Sequence, residues 1–484
     1  MGAATTARVG ARGRAGAATT ARGRRRRIRS AMTSATMDDG ASTPRVVVLG
    51  GGFGGLYTAL RLERLDWTRT TKPEVVVVDR GDAFAFKPLL YELVNETMTR
   101  DEVAPTFEEL LRPTGVRHVR GTVRGFEPDG LSETRDGTPC SSSGGTCTLA
   151  DGTSLTYDYL VLALGTATND GGVEGARERA IALNGAEDAM KISSALGEAA
   201  AAGRRARVAV VGGGLSGVEL ASVVAERLNA SPSGGSVDVI TPNGRVMSSA
   251  PVGQREAATR VLEKAGVNVV SGRVLRLSDV NDIDAVSTAA SVRLADEIGE
   301  ERDEVYDIVC WTIGQRAETP KEWPVATTGA RKIKTDATLR VNGHSRVYAV
   351  GDASSSSAEV MNASWNELPS TAQVAFQQAD YAAWNIWASM NGRTALPFRY
   401  QHLGDMMVLG ELDAAVAFPV GDITLEGPAA AALRRLAYLY RMPTDEQRLK
   451  IGSKWVQQGV EKLQSDPVGF FEDVRKVLPN PFAL

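Results

Sequence analysis

Two glycine triplets with one spacing carry the clearest chemistry in this chain. Gly50, Gly52 and Gly55 follow the run Arg45-Val-Val-Val-Leu49, and Gly212, Gly214 and Gly217 follow Arg207-Val-Ala-Val-Val211. A helical pattern leaves each loop, and a second apolar run ends on Asp79 in one unit and on Thr241 in the other. In such a unit the first glycine allows a tight strand-to-helix turn. The second lets the backbone approach a diphosphate, and the third lets the helix pack closely on the sheet. The diphosphate meets free N–H groups and the positive end of the helix dipole. A carboxylate at the strand end, here Asp79, accepts hydrogen bonds from an adenosine ribose. Two dinucleotide sites in one chain point to two nucleotides that meet, a tightly held flavin and a diffusible nicotinamide.

The elements around these loops repeat as well. Tyr159-Leu-Val-Leu-Ala-Leu-Gly165 and Ile308-Val-Cys-Trp-Thr-Ile-Gly314 read as strands that close the two halves. The predicted fold class is therefore α/β, with two Rossmann-like dinucleotide-binding domains and a C-terminal membrane-associating region. Residues 43–170 and 330–390 are expected to form a split flavin domain, 171–329 the nicotinamide domain, and 391–484 the C-terminal region with amphipathic helices. Residues 1–42 stand apart. Positions 1–36 hold nine Arg and no acid, the composition of an organellar transit peptide, with a basic tail or a later start at Met32 or Met37 as alternatives.

The rest of the composition narrows the options. The whole chain has a formal net charge of −3, and without its basic leader it is clearly acidic, which argues against nucleic acid as a partner. No stretch of 18 or more apolar residues is present, so no bilayer-spanning helix is expected. The three cysteines, Cys140, Cys147 and Cys310, form no CxxC pair, and the CSSSGGTC stretch is too ligand-poor for a metal site, so no metal is expected. A disulfide reductase or a sulfide:quinone oxidoreductase needs paired cysteines near a flavin. A non-enzymatic redox-sensing flavoprotein needs none and stays open as a rival.

Several residues are placed near the cofactors by position. Pro88 is expected to hold Lys87 extended, just past Asp79, where Lys87 could reach the flavin or remain a solvated loop lysine. Thr166 follows the Gly165 turn. Val347-Tyr-Ala-Val-Gly351-Asp352 ends a returning strand with an acid suited to a flavin's polyol linker. Leu368-Pro-Ser-Thr371 caps a helix whose first turns carry Ala372, Gln373 and Gln377; its dipole would favour a reduced, anionic flavin. Glu219 is read either as a carboxylate near a nicotinamide or as an exposed first-turn acid. Residues 129–151 read as a loop-rich insertion and 171–205 as a linker with a short helix. Tyr381, Trp384 and Trp387 read as packing. Two basic amphipathic stretches, Gly427–Arg441 and Leu449–Leu463, fit a membrane interface or a domain-docking role.

The motifs GGGFGG, FKPLLYEL, YDYLVLALGT, GGGLSGVELA, WTIGQR, VYAVGDAS and STAQVAFQQAD, taken together, resemble the type II (alternative, non-proton-pumping) NAD(P)H:quinone oxidoreductases. The resemblance covers about residues 44–465 and is strongest to the type-C subgroup of plants, algae and cyanobacteria. It implies FAD held by Gly50, Gly52, Gly55, Asp79, Thr166, Gly351 and Asp352, with Ala372 and Gln373 beside the ring. It implies NADPH or NADH at Gly212, Gly214, Gly217 and Glu219, and a prenylquinone near Gln373 and Gln377. It implies a peripheral enzyme of chloroplast membranes (thylakoid or plastoglobule), or also of mitochondria, and is compatible with a homodimer. NADH-preferring members carry an acid where this chain has Thr241, so NADPH is expected to be accepted, with Arg245 close enough to meet its 2′-phosphate. The calcium-binding insertion of some relatives is missing.

Overall fold

The structure is a computed structural model that describes residues 43–248, 250–280, 289–317, 319–356, 368–411, 413–419, 423–466 and 468. The basic leader, and with it the transit-peptide reading, lies outside these residues, as does the chain from 469 onward.

Five parallel strands form the first sheet, in the spatial order Val347–Ala349, Tyr159–Leu162, Arg45–Leu49, Glu74–Asp79, Arg117–Arg120. Val46 pairs with Val75 on one side and with Tyr159 on the other. Both faces of this sheet are covered, which is why its strands are unbroken apolar runs rather than alternating ones. Val46 to Leu49 expose no surface at all. The second sheet repeats the plan: Ile181–Ala182, Ile308–Trp311, Ala206–Val211, Gly235–Thr241, Asn268–Ser271. Each parallel sheet has an antiparallel three-stranded companion, from Val123–Pro128, Gly145–Leu149 and Ser154–Tyr157 in one half and from Arg273–Asp279, Ala290–Ala295 and Glu301–Tyr306 in the other. The chain leaves the first half along Thr166–Thr168 and returns along Gln315–Ala317, and these two crossings pair antiparallel.

The first glycine helix, Phe53–Arg64, lies against the long helix Ala372–Met390, here the glutamine helix. Thr371 caps the latter, its hydroxyl accepting the Val374 N–H at 3.3 Å. Tyr381, Trp384 and Trp387 do pack: Tyr381 meets Phe398 edge-on at 5.2 Å, and the two indoles lie 4.7 Å apart.

The helix expected within 171–205 is present as Ala186–Ala201, with Ala189, Ile192, Leu196 and Ala199 buried at helical spacing. Two local readings change. The 129–151 insertion contains the strand Gly145–Leu149, and Cys147 is fully buried between Phe126 and Leu155, because alternate residues of that strand face the core. Lys87 is not extended but starts a 3₁₀ turn, Lys87–Leu89, where Pro88 occupies a first-turn position that needs no N–H.

The C-terminal region forms a small antiparallel sheet (Asp405–Val408, Ala414–Ala417, Thr424–Glu426) and two helices, Gly427–Arg441 and Asp445–Ser465. No helix of the described residues is long and apolar enough to cross a membrane. The docking and interface readings of these helices occupy different faces. Arg434 of the first helix is buried and pairs with buried Glu92 at 2.9 Å. Its guanidinium also lies over the Tyr438 ring at 5.2 Å. Lys450 donates to the Asp101 carbonyl and Lys454 reaches Glu102, so these lysines tie the last helix to the body. Leu436, Tyr440, Leu449 and Val456 remain outward, each more than 60% exposed.

Glu92 Oε2 and Arg434 Nε and Nη1 are buried without hydrogen-bond partners, so the pair is incompletely satisfied. Removing one member leaves a bare buried charge, whereas replacing both with apolar groups of similar size costs little. Arg434→Ala should therefore lower stability by about 3–5 kcal/mol in urea unfolding, and Glu92→Leu combined with Arg434→Met should recover most of it. Equal losses in the single and double variants would show that side-chain volume, not charge, decides.

Candidate functional site

The two glycine loops have the same geometry. Gly50 and Gly212 take φ of +105° and +116°, in the region L side chains avoid. A Cβ on Gly55 would collide with the Gly50 carbonyl oxygen, and one on Gly217 with that of Gly212. A Cβ on Gly52 or Gly214 would meet nothing within 4 Å, so the middle glycine of each loop faces open space. These middle glycines are also the N-caps of Phe53–Arg64 and Leu215–Ala230, and neither helix has a side-chain cap. Unclaimed N–H groups at an open helix start fit the diphosphate of a dinucleotide.

Asp79 closes the first loop. Its carboxylate accepts the Gly51 N–H at 2.7 Å and the Gly81 N–H at 2.8 Å, and lone pairs remain for ribose hydroxyls. At the corresponding position of the second loop, Thr241 is buried with its methyl against Gly213, and its Oγ1 has no partner. Arg245 follows on the surface, its own N–H bonded to Asn243.

Lys87, Thr166 and the neighbours Gly351 and Asp352 converge from three separate stretches. Asp352 sits in the 3₁₀ turn Gly351–Ala353, and burial raises its carboxyl above the usual range while Lys87, Lys332 and a bond from Thr166 oppose the shift. Thr166 also bonds to Gln315 across the paired crossings. Gly351 donates its N–H to Gln378 Oε1 at 2.6 Å, which fixes this turn to the glutamine helix one turn inside Ala372 and Gln373. Gln378 was not singled out in the sequence, although a polar residue on the buried face of an apolar helix is the available signal. These residues fit the flavin half of the reading: an acid held from solvent beside a strand end, under a helix N-terminus.

Gln373 and Gln377 share a helix face, as their spacing requires. Both amides are engaged by the segment 400–404. Gln377 donates to the Gln401 carbonyl at 2.8 Å and accepts the Gln401 N–H at 2.9 Å. Gln373 donates to the Gly404 carbonyl at 3.1 Å and accepts from the Tyr400 hydroxyl at 2.6 Å and the Leu403 N–H at 2.9 Å. The helix and this strap thus form one wall, and Tyr400 and His402 join the candidate site from a stretch with no sequence motif.

Glu219 is not an exposed first-turn acid, because the C-terminal region covers it. It accepts the Val408 N–H at 2.9 Å and bonds to the Tyr91 hydroxyl, which also contacts Ser216. Burial pushes its carboxyl up to about 7; Tyr91, Val408 and Arg434 oppose the shift and Glu92 adds to it. Tyr91, Glu92, Glu219, Arg434 and Tyr438 thereby form one polar cluster where both nucleotide domains meet the C-terminal region. The FKPLLYELV run held the clue to it, an acid inside an otherwise apolar stretch.

A carboxyl whose folded pKa is raised keeps a proton that the unfolded chain has already lost. Stability therefore falls as pH rises from about 4.5 to about 7 and levels off above. Glu219→Gln should flatten that slope, which spans about 3 kcal/mol for a shift of this size. Urea unfolding at pH 5 and pH 8 measures it; an unchanged slope in the variant would assign the pH dependence to other groups.

Comparisons with known proteins agree with this geometry. Residues 44–379 match the pyridine nucleotide-disulphide oxidoreductase family. The chain is 43% identical over 427 residues to the alternative NAD(P)H-ubiquinone oxidoreductase C1, chloroplastic/mitochondrial, of Arabidopsis thaliana, covering 85% of this chain and 80% of that protein. It is 38% identical over 432 residues to the demethylphylloquinone reductase NdbB of Synechocystis, covering 88% and 98%. Among solved structures, NDH2 from Plasmodium falciparum in complex with NADH shares the fold with a TM-score of 0.69 at 17% identity, over 87% of this chain and 98% of that one. A sulfide:quinone oxidoreductase from Aquifex aeolicus shares it at 0.64 and 17%, over 82% and 90%. With two like glycine loops, one strand-end acid and relatives of this identity and coverage, the chain belongs to the type II NAD(P)H:quinone oxidoreductase family, on its plant and cyanobacterial side.

Proposed function

We propose that this protein oxidises NADPH or NADH and reduces a membrane prenylquinone by two electrons, without pumping protons. The observation that carries the reading is a glutamine-helix N-terminus set beside Asp352, Lys87 and Thr166 with no cysteine among them. Cys147 and Cys310 are buried in strands, and burial pushes their thiols up to about 11 and about 12. Thiols kept protonated in a core are poor nucleophiles, so neither offers the reactive sulfur that disulfide or sulfide chemistry needs, and half-buried Cys140, beside Ser132, would stand without such a partner. When bound, FAD supplies the two-electron chemistry between nicotinamide and quinone. The chain's own share is positional: open glycine loops for the two diphosphates, Asp79 for a ribose, Asp352 and Thr166 for the flavin's polyol, and a helix dipole at Ala372. The wall of Gln373, Gln377 and the 400–404 strap lies where the quinone would enter.

The names of the relatives support a plastid or mitochondrial setting and favour ubiquinone or demethylphylloquinone, a phylloquinone precursor, as acceptor; plastoquinone is the third candidate. The N-terminal arginine-rich segment is read with them as a transit peptide. Steady-state kinetics on the leader-free protein with each of these quinones tests the function. Failure to reduce any of them while FAD is reduced by NADPH would favour the redox-sensing reading instead.

Nicotinamide choice follows from Thr241 and Arg245. A threonine does not repel a 2′-phosphate, and an exposed arginine nearby can pair with it. Thr241→Glu should shift the NADPH/NADH ratio of kcat/KM toward NADH by about tenfold or more, with Thr241→Asp as the smaller variant should Gly213 crowd the longer chain. An unchanged ratio in both variants would place phosphate recognition elsewhere.

Membrane attachment is assigned to the outward stripe of Leu436, Tyr440, Leu449 and Val456. Deleting the helices would also bare Glu92 and Glu219, so point changes are the cleaner probe. Leu436→Glu with Val456→Glu should release the enzyme from liposomes with its flavin still bound. Retained liposome binding would move the attachment surface away from this stripe.

A further inference from the structure

Quinone reduction takes up two protons with its two electrons, and the reductant supplies a hydride, so one further proton must come from solvent. The strap offers a path for it. Asp405 is the most open member, with 41% of its side chain exposed, and His402 Nε2 lies 3.6 Å from its Oδ2. That separation holds an ion pair and accommodates a bridging water. His402 Nδ1 lies 3.3 Å from the Tyr400 hydroxyl. Tyr400 is 9% exposed, and its hydroxyl is seated on Gln373 Oε1 at 2.6 Å. Burial pushes this phenol up to about 12, with Asp405 adding to the shift, so it keeps its proton at neutral pH. Exposure thus decreases from Asp405 through His402 to Tyr400, at the helix face that bears both glutamines. The other described side chains seen to meet this stretch are neutral: Gln373 and Gln377 from the glutamine helix, and Gln254 from the helix Val252–Lys264, which donates to the Asp405 carbonyl.

We propose that Tyr400 is the proton donor to the quinone oxygen, with His402 and Asp405 as positioning and resupply groups behind it. The inference rests on the quinone-reductase reading and deepens it. As the quinone takes its electrons, the Tyr400 O–H bond breaks and a quinone O–H bond forms. The phenolate regains a proton from His402 Nδ1–H as the bare Nε2, beside Asp405, takes one from solvent; exchange of the ring protons with water between turnovers restores the Nδ1–H tautomer. The sum is NAD(P)H, quinone and one solvent proton giving NAD(P)⁺ and quinol, with no other oxidant or reductant. The amide of Gln373 receives the Tyr400 hydroxyl between turnovers and gives it up to the quinone oxygen. Imidazole is suited to the resupply role because one ring nitrogen can donate while the other accepts.

The test separates the half-reactions of the FAD-loaded enzyme by stopped flow. In Tyr400→Phe, flavin reduction by NADPH should proceed at the wild-type rate, while reoxidation by quinone should slow by roughly 10- to 100-fold. His402→Gln should likewise slow reoxidation by quinone while flavin reduction by NADPH stays at the wild-type rate. A readout independent of turnover uses the fact that the chain has only 3 histidines. In protein with labelled histidine, the resonance that His402→Gln removes should shift when a non-reducible quinone analogue binds, and those of His118 and His344 should not. Wild-type reoxidation in Tyr400→Phe or in His402→Gln, equal slowing of both half-reactions, or an unmoved His402 resonance would each overturn the inference. A wild type that reduces no quinone would overturn the functional reading itself.

Discussion

The tightest constraint in this molecule is the contact between the first and third glycines of each loop. In both halves the carbonyl of the first lies where a side chain on the third would be, so the helix can approach the strand only if both lack a Cβ. That approach seats the helix on the sheet and aims its free N–H groups outward over the open middle glycine. Everything downstream takes its position from those two closures. The strand that follows ends at Asp79 or Thr241, the crossing strands start from the neighbouring turns, and the returning strand brings Asp352 to the first loop. A substitution there would not remove a contact so much as shift a helix.

The second constraint is electrostatic and lies where the parts join. Burying Glu92, Glu219 and Arg434 together costs desolvation that apolar packing would avoid, and the hydrogen bonds on view do not fully satisfy them. What the cluster provides is registration. Arg434 can be matched only if the C-terminal helix lies in one position on the Leu90–Val94 helix, and Glu219 only if the strand at Val408 crosses the second glycine helix. A raised Glu219 carboxyl is the consequence, chiefly because it is buried, with the nearby Glu92 adding to the shift and Arg434 opposing it. The two tyrosines extend the same cluster.

What the sequence made legible follows from whether the signal was local. Glycine spacing, apolar runs and the Thr371 cap are local, and they located both sheets and the glutamine helix. Lys87, Thr166 and Asp352 were placed one at a time, and the structure brings them together because the chain returns at Val347. The burial of Arg434 and the choice between the two readings of Glu219 were not legible for the converse reason: each is covered by a partner over a hundred residues distant, and amphipathic spacing reports a face without saying which neighbour covers it. Tyr400 and His402 belong to an irregular segment whose form is dictated by the amides of Gln373 and Gln377, so no periodicity could have revealed them.

The two halves differ in one respect that bears on their use. Asp79 fastens its own loop by accepting N–H groups from Gly51 and Gly81, so the first site is held in a binding geometry before any nucleotide arrives. Thr241, at the same place in the repeat, makes no such bond and leaves a buried hydroxyl unsatisfied. An ordered loop with a carboxylate for the ribose spends little on arrangement and favours a resident dinucleotide. The second loop is held from other directions, by the Met247 N–H on the Gly213 carbonyl at 2.7 Å and the Thr312 hydroxyl on that of Gly212 at 3.3 Å, and its neutral strand end leaves room for an added phosphate. The repeat thus keeps one loop shape and differs in which group, a carboxylate or a threonine, stands at the strand end.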